Sequence, residues 1–250
     1  MGIDWRVALD LKRVIFLSLI LITASCATTG TNPADPWEGF NRKVYGFNKA
    51  IDTAIAKPLA KGYKAITPDF VETGVSNVFD NIRDIPNFIN NLLQGKGKDS
   101  LSDLSRFVIN STLGIAGLWD PASSMGLVKH DEDFGQTLAH WGVPDGPYLM
   151  LPILGPSTVR DTSALPVDSQ LNPINYIDDR TTKYSLILVD LIDKRASLLS
   201  FEDQLEAAID EYSFVRDVYL QNRRFKVFDG NIPLDDDFEC EEENEEDCDF

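Results

Sequence analysis

The side chains able to do covalent or metal chemistry are few and scattered. Only two histidines occur, His130 and His140, and neither belongs to the HExxH spacing of a zinc hydrolase. His130-Asp131-Glu132-Asp133 offers the donor types a metal needs, but the same run makes an ordinary solvated loop. No GxSxG elbow exists, and Gly114, Gly117 and Gly126 fall at a helix end and in a loop, not in a phosphate loop after a strand. Asp235-Asp236-Asp237 lacks the alternating ligands and glycine of a calcium loop. Cys240 and Cys248 suit a local disulfide in an oxidising compartment better than a zinc site, having no histidine near them in sequence. The expectation is therefore no enzyme, no cofactor and no metal. A Ser-His-Asp triad assembled only by folding is the remaining hydrolytic reading.

The third cysteine has a different context. Lys12 and Arg13 precede an apolar run over 14–22, broken only by Ser18, which leads into Thr23-Ala24-Ser25-Cys26. A positive lead, a short apolar run and small residues make a secretory signal. As a helix the run spans only about 14 Å, well short of a hydrocarbon core of about 30 Å. The Cys after two small residues resembles the lipobox of bacterial lipoproteins, with Thr23 where leucine is usual. That resemblance implies a signal peptide over 1–25, acyl chains on Cys26 and a lipid-anchored mature chain. Each buried methylene adds about 0.8 kcal/mol, so two or three chains hold firmly. Ala27, not Asp, follows the Cys. By resemblance to Gram-negative lipoproteins this implies the periplasmic leaflet of the cell outer membrane. Residues 26–34 are small and polar, a flexible tether.

Of the net charge of −17, residues 231–250 supply −11, with 11 acids and no base. Such a tail is expected to be disordered. The body over 35–230 is only mildly acidic, which argues against nucleic acid as a partner.

Within that body helix signals dominate. Asp35-Pro36-Trp37-Glu38 reads as a cap, a first-turn proline and an acid three residues on. Phe40, Val44, Phe47, Ile51 and Ile55 then recur at helical spacing until Pro58 interrupts. Thr67-Pro68 opens a second segment striped by Val75, Val78, Phe79 and Ile82, and Pro86 restarts the chain toward Phe88, Ile89, Leu92 and Leu93. Ser100 to Leu113 forms another helix, with Leu101, Leu104, Phe107 and Val108 on one face. Two more cover Lys183 to Leu199 and Ser200 to Val227, the last with Ser200 and Asp203 as a capping box. Tyr184–Ile192 is apolar almost all round; a core helix is the reading this piece alone favours, and a lipid-facing one stays open. Tyr148–Leu154 is the one run suited to a strand, and Pro152 makes it an edge or an extended loop. No mature segment approaches the roughly 20 apolar residues of a spanning helix, yet ten helical residues cover one leaflet of about 15 Å. The fold class expected is all-α: short helices broken by proline, with a small extended or hairpin segment.

Several ordered motifs share a family resemblance. They are Asp35-Pro36-Trp37-Glu38-Gly39-Phe40-Asn41-Arg42 with Phe47-Asn48, then Arg106-Phe107 with Asn110-Ser111-Thr112-Leu113-Gly114. Phe134-Gly135-Gln136-Thr137-Leu138, Trp141 to Tyr148, Leu151-Pro152 and Gly155 to Asp161 follow. Together they resemble the MlaA (VacJ) family of outer-membrane lipoproteins over about 35–229. The resemblance implies a ring of helices lying in one membrane leaflet around an amphipathic channel. It also implies removal of misplaced phospholipid from the outer leaflet, hand-over to a periplasmic lipid-carrier protein, and association with an outer-membrane porin trimer.

Within this frame the turn-rich loop Gly142 to Pro147 is expected to act as a hinge or gate, Gly142 and Gly146 allowing backbone angles other residues resist. Tyr148, Leu149, Leu151 and Ile153 are its expected greasy contacts. A plain turn feeding a buried extended segment is the competing reading. Asn41 and Asn48 lie seven residues apart on one helix face, to bond buried backbone or to line a polar path; the sequence leaves both open. Arg160 and Asp161, near a helix start at Ser157, are either an ion pair or an arginine for a phosphate. The alternatives to lipid movement are an envelope scaffold that binds porins without moving lipid, and an envelope hydrolase.

Overall fold

The computed structural model describes residues 32–233. Cys26, the signal segment, most of the tether, and the acidic tail from residue 234 with Cys240 and Cys248 lie outside the described residues.

The all-α expectation holds, with one small hairpin. Helix α1 covers Glu38–Ile51 and passes through a π turn, Asp52–Ala56, into α2, Lys57–Ile66. Pro58 was expected to end this segment but does not. A proline ring collides with the carbonyl four residues back, here that of Ala54. That carbonyl lies within the π turn, whose wider i→i+5 register shifts it aside. The break comes instead at Thr67-Pro68, as expected, where Thr67 and Pro68 are both extended.

Helix α3, Asp69–Leu93, contains Pro86 and does not restart there. The interior proline removes one backbone bond at a cost of about 3 kcal/mol, offset by the extended packing of α3 against α4, Gly97–Thr112. A four-residue helix α5, Pro121–Ser124, and α6, Phe134–His140, follow, capped by Asp120 and Asp133. Strands β1, Tyr148–Leu151, and β2, Gly155–Thr158, pair antiparallel from Tyr148↔Thr158 to Leu151↔Gly155. Pro152 sits in the turn, where its missing N–H costs the ladder nothing.

Thr158, one residue later than expected, caps α7, Val159–Leu171, and Asp179 caps α8, Arg180–Ser197. The expected single helix from Ser200 to Val227 is two. Short α9, Glu202–Glu206, ends before a break, and α10, Glu211–Val227, starts from an Asp210 cap. Ser200 Oγ bonds back to the Ser197 carbonyl and caps nothing. Asp35 likewise does not cap α1, which begins at Glu38; its carboxylate is used elsewhere.

The polarity of the described domain is inverted. Its buried residues number 22 polar or charged against 10 hydrophobic, so the interior is held mainly by hydrogen bonds. On α3 the inward face is Asn81, Asp84, Asn87, Asn90 and Asn91; on α4 it is Ser100, Asp103, Arg106 and Asn110. The apolar stripes predicted from sequence exist, but Leu92, Leu93, Leu101, Leu104 and Val108 point outward. Tyr184, Leu188, Val189 and Leu191 of α8 do the same, which overturns the core-helix reading of that segment. No described helix is long and apolar enough to cross a membrane.

Candidate functional site

The two asparagines of α1 find their role at the hairpin. Asn41 is fully buried; its Nδ2 donates to Asp35 Oδ1 at 2.8 Å and to the Tyr148 carbonyl at 3.1 Å, while its Oδ1 accepts from the Met150 N–H at 2.9 Å. Two turns on, Asn48 repeats the pattern. Its Nδ2 donates to the Leu151 carbonyl at 2.8 Å and its Oδ1 accepts from the Ile153 N–H at 2.7 Å. Helical spacing puts both amides on one face, and each amide presents donor and acceptor side by side as a neighbouring strand would. The outer edge of β1 is thus satisfied by side chains instead of a third strand. Both amides bond hairpin backbone, Asn41 in the buried interior and Asn48 at the exposed end.

Asp35 anchors this clamp, accepting also from Tyr212 Oη at 2.5 Å and lying 3.4 Å from Arg216 Nη1. Around it sits the small apolar core: Val44, Tyr148, Met150 and Tyr212, with Phe40 and Tyr45 packed against it. Tyr212 meets Tyr45 and Tyr148 edge to face at 5.8 and 6.3 Å, and Arg42 lies 4.5 Å over its ring while bonding Asp210 and Glu38. Pro36 is half-buried beside this anchor, whereas Phe47 faces outward.

The gate residues are divided. Gly142 and Gly146 have φ of +88° and +67°, the left-handed region expected of them. Tyr148 is wholly buried, Leu149 and Leu151 are half-buried, and Ile153 at the hairpin tip is 75% exposed. The loop is tied at Asp145, whose carbonyl accepts from Arg160 N at 3.1 Å and whose carboxylate pairs with Arg160 Nη1. Arg160 is itself buried, and its Nε meets Asp161 at 3.0 Å. Asp161 also accepts from Tyr219 Oη at 2.9 Å and Arg223 Nη2 at 2.8 Å. With carboxylates on both sides and little access, Arg160 is an ion-pair residue here, not a phosphate holder.

Beneath the hairpin lies an open cleft of about 420 Å³, which sequence reasoning missed. Tyr45, Asn48, Met150, Pro156, Leu205 and Val215 are among its lining residues. Its rim carries a chain of alternating charges drawn from four elements. Asp52 takes Arg195 in a two-point pair at 2.6 and 2.9 Å; Arg195 also meets Glu202; Lys57 meets Glu202 and, at 3.4 Å, Glu206. Lys49 and Glu211 close the rim as a separate pair. These residues are dispersed over 49–211, so no local spacing could have marked them.

A second missed feature is the Asp84 cluster between α3 and α4. Arg106 donates to Ser123 Oγ, the Leu127 carbonyl and Asp120 Oδ2, each at 2.9 Å, fixing α5. Burial would raise the Asp120 carboxyl, but bonds from Ser123, Arg106 and Asn110 outweigh it and hold it well below the usual range. Asp84 has no such support. Its nearest cationic atom is Arg106 Nε at 3.7 Å, neither of its oxygens is hydrogen-bonded, and burial pushes its carboxyl up to about 7. The polar period Asn81, Asp84, Asn87, Asn90 and Gln94 was the available sign that this helix turns its polar face inward. No group of three or more metal-ligating side chains occurs among the described residues; His130 Nδ1 instead contacts Asp103 Oδ1 at 2.8 Å.

The family model for the MlaA lipoprotein matches residues 33–226. A protein of Rickettsia bellii is 39% identical over 77% of this chain and 76% of its own length. The intermembrane phospholipid transport system lipoprotein MlaA of Haemophilus influenzae is 32% identical, covering 86% of this chain and 90% of that protein. A solved structure described under the structural basis for maintenance of bacterial outer membrane lipid asymmetry aligns at a TM-score of 0.69 and 32% identity, over 77% of this chain and 98% of that one. The chain belongs to the MlaA lipoprotein family.

Proposed function

We propose that this chain removes misplaced phospholipid from the outer leaflet of the outer membrane and passes it inward, preserving lipid asymmetry. The observation that carries this reading is the inverted polarity: an apolar exterior suited to acyl chains around an interior of Asn, Asp and Arg. A head group loses hydration on entering hydrocarbon, at several kcal/mol for an unpaired charge. A protein path with polar groups inside and lipid outside lowers that cost with no covalent step, so no enzyme chemistry is required.

The domain lies in the periplasmic leaflet, held by the acylated Cys26 at the end of its tether, and too short to cross. The lipid's route runs by the cleft beneath the hairpin, with the Gly142–Pro147 loop as its hinge. A periplasmic lipid-carrier protein receives the lipid, and an outer-membrane porin trimer holds the domain at its working depth. The phospholipid transport named for the Haemophilus relative supports this assignment. The test is the phospholipid content of the outer leaflet in cells with and without the protein. Accumulation on its loss is expected; an unchanged leaflet favours the scaffold reading and refutes this one.

A further inference from the structure

We infer that the cleft beneath the hairpin selects zwitterionic, amine-bearing phospholipid head groups over anionic ones. The inference rests on the lipid-moving reading above and adds the substrate class. At about 420 Å³ the cleft lies toward the small end of ligand pockets, which run from about 300 to 1,000 Å³. That is room for a head group, with the two acyl chains left to the apolar exterior.

The rim decides which head group. Its cations are Lys49, Lys57 and Arg195; its anions are Asp52, Glu202, Glu206 and Glu211, one more than the cations. Such a rim offers no net attraction to an anionic lipid. It is, however, arranged for exchange. The Lys57–Glu206 pair is the loosest of the rim's linked pairs, at 3.4 Å, and the Glu206 side chain is 67% exposed. Exposed pairs of this kind contribute little to stability, so opening one is easy.

A phosphate accepting from Lys57 releases Glu206. If the same head group carries an ammonium, that ammonium pairs with Glu206 and every charge stays matched. A glycerol head group supplies no such cation, and Glu206 is left unpaired beside Glu202. The rest of the chain resists disturbance, since Arg195 is held by Asp52 at two points and by Glu202. Selection therefore centres on the Lys57–Glu206 end.

The experiment titrates the full-length acylated protein in detergent with dihexanoyl phosphatidylethanolamine and dihexanoyl phosphatidylglycerol, each read by calorimetry. Wild type should bind the ethanolamine lipid up to about fivefold more tightly, the scale of one unpaired exposed charge. Glu206→Lys, a surface change that moves the rim from one excess anion to one excess cation, should reverse the order. Equal binding of both lipids by wild type, or a preference that survives Glu206→Lys, overturns the selection while leaving lipid movement intact. Binding of neither lipid, with an unchanged outer leaflet in cells lacking the protein, overturns the transport reading itself.

Discussion

Replacing Asn41 or Asn48 by alanine removes the same kind of side-chain bridge, yet the structure assigns the two changes very different costs. Asn41→Ala strips the partners from the Tyr148 carbonyl and the Met150 N–H, in residues that are 0% and 1% exposed. Water cannot replace them there. A buried polar group left without a partner costs about 1–3 kcal/mol, so two cost about 2–6 kcal/mol. That is a large share of the roughly 5–15 kcal/mol that holds a domain. Asn48→Ala frees the Leu151 carbonyl and the Ile153 N–H at the exposed end of the hairpin. Water takes both, and the loss is about 0.5–1.5 kcal/mol. Denaturant unfolding of the detergent-held protein measures the difference, and hydrogen exchange locates it. In Asn48→Ala the Ile153 amide should lose protection while the Met150 amide keeps it. Equal destabilisation by both variants, or an unchanged Ile153 amide, would refute the clamp.

Three further outcomes follow from the geometry. A Cβ on Gly135 would lie 2.4 Å from Arg223 Nη2 and 2.5 Å from Asp161 Oδ1, so Gly135→Ala should split that buried pair and cost about 3 kcal/mol or more, read as a fall in unfolding midpoint. Asp84 has a folded pKa of about 7 against an unfolded 3.8, so the folded chain holds the extra proton between those values. Its contribution to stability is thus fully present below about pH 4 and is lost as pH rises to 7, by up to about 4 kcal/mol. Asp84→Asn should abolish that slope; a difference from wild type that is the same at pH 5 and pH 8 contradicts it. Gly142→Val imposes about 1–3 kcal/mol of backbone strain with open space around its Cβ, and Gly146→Val adds contact with Val159. Both should leave the protein abundant but slow lipid removal, and normal asymmetry in both variants would remove the hinge.

Local chemistry made part of this fold legible. The Thr67-Pro68 break follows from the restriction a proline places on the residue before it. The helical spacing of Leu101, Leu104 and Val108 gave α4, and Tyr148–Leu154 gave the hairpin's first strand. Periodicity names a stripe, however, and not the medium it faces. The outward turn of Leu101 and Leu188 became visible only once Asn87, Asp103 and Arg106 were seen bonded inside. Pro58 and Pro86 misled for a related reason: a π turn that no residue pattern announces, and the α3–α4 packing, carry the helices through them. The clamp residues could be named in advance, because Asn41 and Asn48 share a face. Their bonds to β1 span more than a hundred residues and required the fold, as did the cleft's charge chain.

Photo-crosslinking in the native outer membrane tests most directly whether the charge-rimmed cleft and an apolar shell divide one lipid between them. A phospholipid with its reactive group on the head should label Tyr45, Leu205 or Val215 in the cleft. One with the group at the acyl terminus should label outward residues such as Leu104, Val108 and Leu188. Head-group labelling confined to the outer shell, with the cleft untouched, would contradict the account.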